Sequence, residues 1–293
     1  MPPSIGVTTQ VIRQAKWYKH VDEFGLGAIE INRQNSKLHF NHYFLEKVKD
    51  YLGGLDLSIH SGTAGIFQPH EVFTKANLAI LAAELEVCRF LGAGQFVFHL
   101  GDGFLSPNDK KRLRDVIANA EDLGVQMLYE SNSLLVSDYA YDILASFPTL
   151  DYVLDLGHLN NGHCVGRLGR GIAEFVEQVR SRVTYVHACN NHGLHDDHDG
   201  LDSGTLDWRG VLDMLDLSRV SKIIIEVRQA GMVEESTRAL RRYLAGRSTP
   251  TASGANTSPL VEQAKPRAIP LPISCDALNS EAGQHPIPPE FAA

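Results

Sequence analysis

The sequence predicts an α/β protein: a single (β/α)8 barrel followed by a disordered C-terminal tail. Three observations predict it. Strand and helix signals alternate through residues 1–246, giving eight pairs in a length that suits this fold. The strands are short apolar runs without strict alternation, as in a parallel sheet buried on both faces. Six of them end on a His, Glu or Asp: His60, His99, Glu130, Asp155, His187 and Glu226. A doubly wound open sheet would gather its ligands at one switch point, not at most strand ends.

The elements follow in order. Strand 4–8 leads into a helical stretch at about 9–23, and strand 27–32 into a helix at 43–52. Strand 55–60 precedes the long amphipathic run 72–91, which Gly92 closes. Strand 95–99 precedes a helix with a clear start: Ser106 as cap, Pro107 in the first turn and Asp109 three residues on. Strand 125–130 leads to a helix over 137–146, stopped by Pro148. Strand 152–155 ends on Asp155, and a glycine turn then brings His158; the helix follows near 171–180. Strand 183–187 opens a long polar loop, after which Asp207-Trp208 starts a helix ending near Leu215. Strand 223–226 and a helix over 233–244, with Gly246 after it, complete the barrel.

Composition bounds the rest. From Arg247 onward Ser, Thr, Ala and Pro dominate, and eight of the thirteen prolines lie there. Such a segment buries too little apolar surface to offset its ordering entropy, so 247–293 is expected to be a disordered tail without a catalytic role. No apolar run reaches the length of a membrane span, and the N-terminus has no signal-peptide pattern; a cytoplasmic address without membrane attachment is the expectation. Cys88, Cys164, Cys189 and Cys275 have neither zinc-ribbon nor disulfide-framework spacing. A net charge of −8 argues against broad attraction to polyanions, although bound cations can reverse the field at one site.

In a barrel all strand C-termini open into one bowl. The six strand-end residues therefore converge, joined by His158 and by the Asp196-x-His198 pair of the polar loop. Taken singly each has an ordinary use: Asp155 as a helix cap, a glutamate paired with Arg228, a solvated acidic loop at 196–199. Together, four carboxylates and five imidazoles repel or compete unless cations join them. One ion takes about four to six ligands, so nine groups imply two or three ions. Mixed imidazole and carboxylate donors favour Zn2+ or Mn2+, and also Fe.

In this order the motifs His60, His99, Tyr-Glu130-Ser-Asn, Leu-Asp155-Leu-Gly-His158, Val-His187-Ala-Cys-Asn, Asp196-Asp-His198 and Ile-Glu226 resemble the endonuclease IV family (apurinic/apyrimidinic endonuclease family 2). That family lies within the xylose-isomerase-like TIM barrels. The resemblance covers residues 1–246. It implies three zinc ions, held by His60, His99 and Glu130; by Glu130, Asp155, His187 and Glu226; and by His158, Asp196 and His198. It implies DNA repair chemistry: a hydrolase that cleaves the phosphodiester 5′ to an abasic site with a metal-bridging hydroxide. Glu130 and Glu226 would be catalytic as well as ligands. DNA would be the partner, met by Arg33, Lys37 and Arg228, with Arg167 and Arg170 adding to a basic rim. The chain departs from the family at Asp202-Ser203-Gly204, where Gly-Glu-Gly is usual, and in the loop Asn32-Arg33-Gln34-Asn35-Ser36-Lys37.

Two other readings use the same residues. One is a sugar or sugar-phosphate isomerase or epimerase on the same barrel: relatives of that kind use one ion held by four groups, which Glu130, Asp155, His187 and Glu226 resemble. The two glutamates would then move a proton at carbon. Ile-Glu30-Ile and Gly204-Thr-Leu-Asp207-Trp208 resemble that branch. The third reading is a metal-binding module without activity.

Overall fold

The computed structural model describes residues 2–247, apart from 15, 34–39, 102, 133–134 and 170. The expected tail over 248–293, Lys37 and Arg170 lie outside the described residues. Eight parallel strands close a barrel in chain order. They are β1 (Ser4–Thr8), β2 (Ala28–Asn32), β3 (Asp56–His60), β4 (Gln95–His99), β5 (Gln126–Glu130), β6 (Asp151–Asp155), β7 (Val183–Ala188) and β8 (Lys222–Ile225). Closure is made by β1 on β8, with Ile5 opposite Ile223. Around it lie α1 (His42–Leu52), α2 (Glu71–Leu91), α3 (Pro107–Asp122), α4 (Ser137–Ser146), α5 (Leu156–Cys164), α6 (Ile172–Val179), α7 (Trp208–Asp213) and α8 (Ala230–Arg247).

The barrel is as the sequence predicts, with two local differences. Residues 9–23 form three short 3₁₀ turns, Thr9–Val11, Trp17–Lys19 and Val21–Phe24, in place of one helix. The β-branched run Thr8, Thr9, Val11 and Ile12 disfavours helix, and the Thr8 hydroxyl accepts from the Gln10 N–H instead. The second difference is α5, which starts directly after β6. His158 therefore sits in a helical first turn and not beyond a glycine turn. The start of α3 is as expected: the Asp109 N–H donates to Ser106 Oγ at 3.2 Å, with Pro107 at the first position.

Alternate residues of each strand serve different cores. Ile29, Ile31, Ile59, Phe96, Phe98, Leu154, Val186, Ile223 and Ile225 belong to the large apolar cluster beneath the helices. Ala28, Val97, Leu128, Val153, Tyr185 and Ile224 form a separate buried cluster inside the barrel. Gly6 lets β1 pass this layer: a Cβ there would lie 2.5 Å from Ile224 Cδ1 and 2.7 Å from the Ala28 carbonyl oxygen.

Side chains two apart on a strand share a face. Two residues beyond each member of the inner cluster comes a polar group: Glu30, His99, Glu130, Asp155, His187 and Glu226. The apolar plug is thus the floor of a polar bowl, and burying each of its larger aliphatic side chains contributes about 1.5–3 kcal/mol.

Candidate active site

Strand register sets the height of each group. His99 pairs with Glu130 across β4 and β5, and Asp155 with His187 across β6 and β7. His60 ends β3, and Glu226 follows β8 directly. Glu130 is the centre. Its Oε2 lies 3.0 Å from His60 Nε2 and 3.5 Å from His99 Nε2. Its Oε1 lies 3.2 Å from His187 Nδ1 and 3.3 Å from His158 Nδ1. One carboxylate thus offers an oxygen to each of two donor sets. One atom each from His60, His99 and Glu130 come within 4.8 Å of one another, and so do atoms of Glu130, Asp155, His187 and Glu226.

The loop between β7 and α7 brings Asp196 and His198 to His158 of α5, forming an outer trio. Asp196 Oδ2 lies 3.4 Å from His158 Nε2 and 3.2 Å from His198 Nε2. Asp196 Oδ1 is buried and has no hydrogen-bond partner among the described residues. An antiparallel bridge from Asn190 to Asp199 pinches the loop. Asn190 Nδ2 also donates to the carbonyls of Leu201 and Leu206. Gly204 packs so tightly there that a Cβ would lie 2.3 Å from the Asn190 side chain. Asp202 turns away from the bowl, accepting from Trp208 Nε1 at 3.0 Å and pairing with Arg209 at 2.9 Å. The Asp202-Ser203-Gly204 segment therefore shapes the loop base.

The donor chemistry fits metal ions. Every one of the five imidazoles has one ring nitrogen tied to an oxygen that can accept a hydrogen bond. His60, His99, His158 and His198 use Nδ1, at 3.2, 3.2, 2.9 and 3.1 Å from the carbonyls of Ser61, Glu130, Ser131 and Glu226. His187 uses Nε2, at 2.9 Å from Glu30 Oε2. A carbonyl cannot donate, so in the neutral rings the other nitrogen presents its lone pair to the carboxylates. Outer hydrogen bonds of this kind fix the tautomer of metal-binding histidines. The set with two imidazoles and one carboxylate suits zinc, and the set with three carboxylates and one imidazole suits harder ions such as manganese.

The same crowding shifts the titrations. Burial opposes charge on His60, but the Glu130 hydrogen bond and charge outweigh it and hold that imidazole up at about 9. His158 and His198 are raised to about 10 against burial, His158 mainly by Asp155 and Asp196, His198 mainly by Asp196 and Glu226. His187 is also raised, by Glu30 and Glu130 against burial. His99 goes the other way: burial, aided by the charges of His60 and His158, outweighs Glu130 and lowers it to about 4. Burial would lift Glu130, yet the facing imidazoles bring it well below the usual carboxylate range. At Glu226 burial prevails and the carboxyl is raised.

Glu30 and Gln10 are at the site without having been singled out as site residues. Glu30 stands under His187, and Gln10 Nε2 donates to Glu226 Oε1 at 3.3 Å. A charged residue inside an otherwise apolar strand, at the same phase as the strand-end ligands, is the signal that marks Glu30. No pattern marks Gln10.

The expected basic rim is placed differently. Arg33 is buried, with Nε 3.2 Å from Glu84 Oε1, and Glu84 also accepts from Ser61 Oγ and the Gly62 N–H. Arg33 thus locks the loop after His60 from within. Arg228 donates to the Asp196 carbonyl and lies 3.9 Å from Asp197, so it braces the outer loop.

Buried carboxylates and imidazoles meeting at the C-terminal end of a closed barrel stand where (β/α)8 enzymes carry their active sites, and they could hold a metal ion. The chain belongs to the xylose isomerase-like TIM barrel family, whose model matches residues 18–244. No curated protein matches it. Among solved structures, a D-tagatose 3-epimerase-like protein is similar with a TM-score of 0.71 at 19% identity, covering 83% of this chain and 97% of that one. A D-psicose 3-epimerase with D-tagatose from Clostridium cellulolyticum H10 has a TM-score of 0.63 at 14% identity, covering 83% and 98%. The IOLI protein with a binding zinc atom has a TM-score of 0.63 at 15% identity, covering 85% and 100%. At these identities the likeness is one of fold. No helix among the described residues is long and apolar enough to cross a membrane.

Proposed function

We propose that the chain is a metal-dependent sugar or sugar-phosphate isomerase or epimerase, with Glu130 and Glu226 as its acid/base pair. The observation that carries this is the shared focus of the two carboxylates. Glu130 Oε1 and Glu226 Oε2 lie 3.2 and 3.0 Å from one atom, His187 Nδ1, with Asp155 completing the set. They reach that point from different strands, and their affinities for protons are pushed in opposite directions. A sugar lying there meets one carboxylate able to take the proton beside its carbonyl and another able to return it. Gln10 holds Glu226 in place, and the apolar floor keeps water from below. Glu130, Asp155, His187 and Glu226 would hold a Zn2+ or Mn2+ ion, which would supply positive charge for the sugar oxygens.

Two further observations support a small substrate. The solved structures of similar fold include sugar epimerases. Arg33, which a polyanion would use, is buried and engaged with Glu84. The test is to incubate the metal-loaded protein with ketopentoses, ketohexoses and their phosphates in D2O. Deuterium is expected at the carbon beside the carbonyl, read by NMR, and is lost with a chelator. A fully loaded protein that exchanges no carbon-bound proton in any of these sugars overturns the reading.

A second reading, phosphodiester hydrolysis of the endonuclease IV type on abasic DNA, is favoured by one specific observation. His60 and His99 face the second oxygen of Glu130, and His158 and His198 share Asp196. An isomerase with one ion has no need of these four imidazoles. Elemental analysis giving two or three ions per chain, with cleavage of an abasic-site duplex, would favour this reading. One ion and no cleavage would dismiss it.

A further inference from the structure

We propose that Glu30 is a positioning residue of the metal centre, holding the His187 ring so that Nδ1 faces the other donors. Glu30 lies inside the barrel with no exposed surface. Its Oε2 accepts from His187 Nε2 at 2.9 Å and from the Tyr185 hydroxyl at 2.9 Å. Ser58, directly opposite Glu30 on β3, holds that hydroxyl at 2.7 Å. Among the described residues no lysine or arginine pairs with Glu30, so its ionic contact is His187. A buried carboxylate is costly unless it is paired, and here the pairing falls to His187. Its placement within an apolar strand, in phase with the ligand-bearing positions, calls for a use.

The geometry supplies that use. Tyr185 and His187 are two apart on one face of β7, so the same strand presents the ring and the hydroxyl that aims the carboxylate. The other four imidazoles direct Nε2 into the bowl with backbone carbonyls behind them. His187 is reversed: Nε2 is its outward nitrogen, and the hydrogen-bond acceptor behind it is a carboxylate in place of a carbonyl. A charged acceptor raises the basicity of the opposite ring nitrogen more than a carbonyl does. Glu30 therefore sets both the orientation of His187 and its strength as a donor.

This inference rests on the metal-centred reading above. The test titrates Zn2+ into wild type, Glu30→Gln and Tyr185→Phe in competition with a chromophoric chelator. It also records the visible spectrum of each protein loaded with Co2+. Glu30→Gln is expected to weaken Zn2+ binding about 10–100-fold and to shift the Co2+ bands. The melting temperature of each metal-free protein is recorded beside these, so that a loss of fold is told apart from a loss of binding. Tyr185→Phe is expected to weaken Zn2+ binding by less. Unchanged Zn2+ affinity and Co2+ spectrum in a folded Glu30→Gln protein would overturn the proposal. If that variant does not fold, unchanged affinity in Tyr185→Phe overturns it. Wild type that takes up no metal overturns the metal reading itself, a different result from a wild type that binds as tightly as the variants.

Discussion

Asp155 caps the helix that carries His158: the His158 N–H donates to Asp155 Oδ1 at 2.6 Å, while Oδ2 faces His187 Nδ1 at 3.6 Å. One carboxylate both starts α5 and joins the donor set, so cap and ligand are not alternatives here. Asp155→Asn keeps the capping oxygen and loses the charge, whereas Asp155→Ala loses both. Both variants are expected to lose metal affinity. Chemical denaturation of the metal-free proteins is expected to place the alanine variant below the asparagine variant by about 0.5–2 kcal/mol, the worth of an N-cap. Equal stabilities would show that the cap contributes nothing.

Protons and metal ions compete for the same nitrogens. His60 at about 9 and His158 and His198 at about 10 hold protons at neutral pH in the metal-free protein. Their affinities are raised relative to the unfolded value of about 6.5, so the stability they contribute is complete below that value. It is lost as pH rises through 9 to 10. His99, lowered to about 4, contributes above about 6.5 and loses its contribution as pH falls toward 4. Thermal melting of the metal-free protein against pH is expected to fall on both sides. Adding Zn2+ at pH 7 in weak buffer is expected to release protons, and apparent affinity is expected to rise with pH. Zn2+ uptake without proton release would contradict this picture.

Much of this was legible in the residues themselves. Short apolar strands ending on His60, His99, Glu130, Asp155, His187 and Glu226 are enough to imply one bowl, because parallel strands in a closed barrel share one exit. Less legible is anything set by packing between distant segments. Arg33 reads as a rim cation until Glu84, 51 residues away, is seen to hold it inside. Glu30 lies in a strand that reads as apolar, and its partner His187 is 157 residues on. The 3₁₀ turns over 9–24 keep a helix-like apolar pattern, since Val11, Trp17, Tyr18 and Val21 are buried, but the backbone does not follow it.

The barrel floor is closely filled at Gly6. A methyl there meets Ile224 Cδ1 at 2.5 Å and the Ala28 carbonyl at 2.7 Å, and the carbonyl cannot turn aside without breaking the β1–β2 ladder. Gly6→Ala is expected to destabilise by about 1–3 kcal/mol, the usual cost of overpacking. Ile224→Val in the same chain is expected to recover part of the loss, because it removes the nearer obstacle. Denaturant midpoints of the single and double variants measure this. A Gly6→Ala protein as stable as wild type would mean the layer is looser than its distances indicate.

The outer loop depends on Arg228 for its position over the bowl. The Arg228 side chain donates to the Asp196 carbonyl, and its backbone N–H donates to the His198 carbonyl at 3.0 Å. His198 adopts a left-handed backbone with φ of 49°, which a non-glycine residue holds only when its surroundings enforce it. Removing the side chain leaves the backbone contact but frees the Asp196 end. Under the multi-ion reading, Arg228→Ala is therefore expected to weaken an ion shared by His158, Asp196 and His198 while sparing the inner sets, whose donors come from strand ends. If the protein holds one ion, the variant is expected to bind it as wild type does. Metal content after stepwise dialysis against a chelator should show loss of the most weakly held ion at about tenfold lower chelator concentration than in wild type. In carbon–proton exchange assays the variant is expected to keep the wild-type rate if the inner set suffices. In a phosphodiesterase assay it should lose activity in step with that ion. Equal loss of every ion would show instead that Arg228 supports the whole bowl.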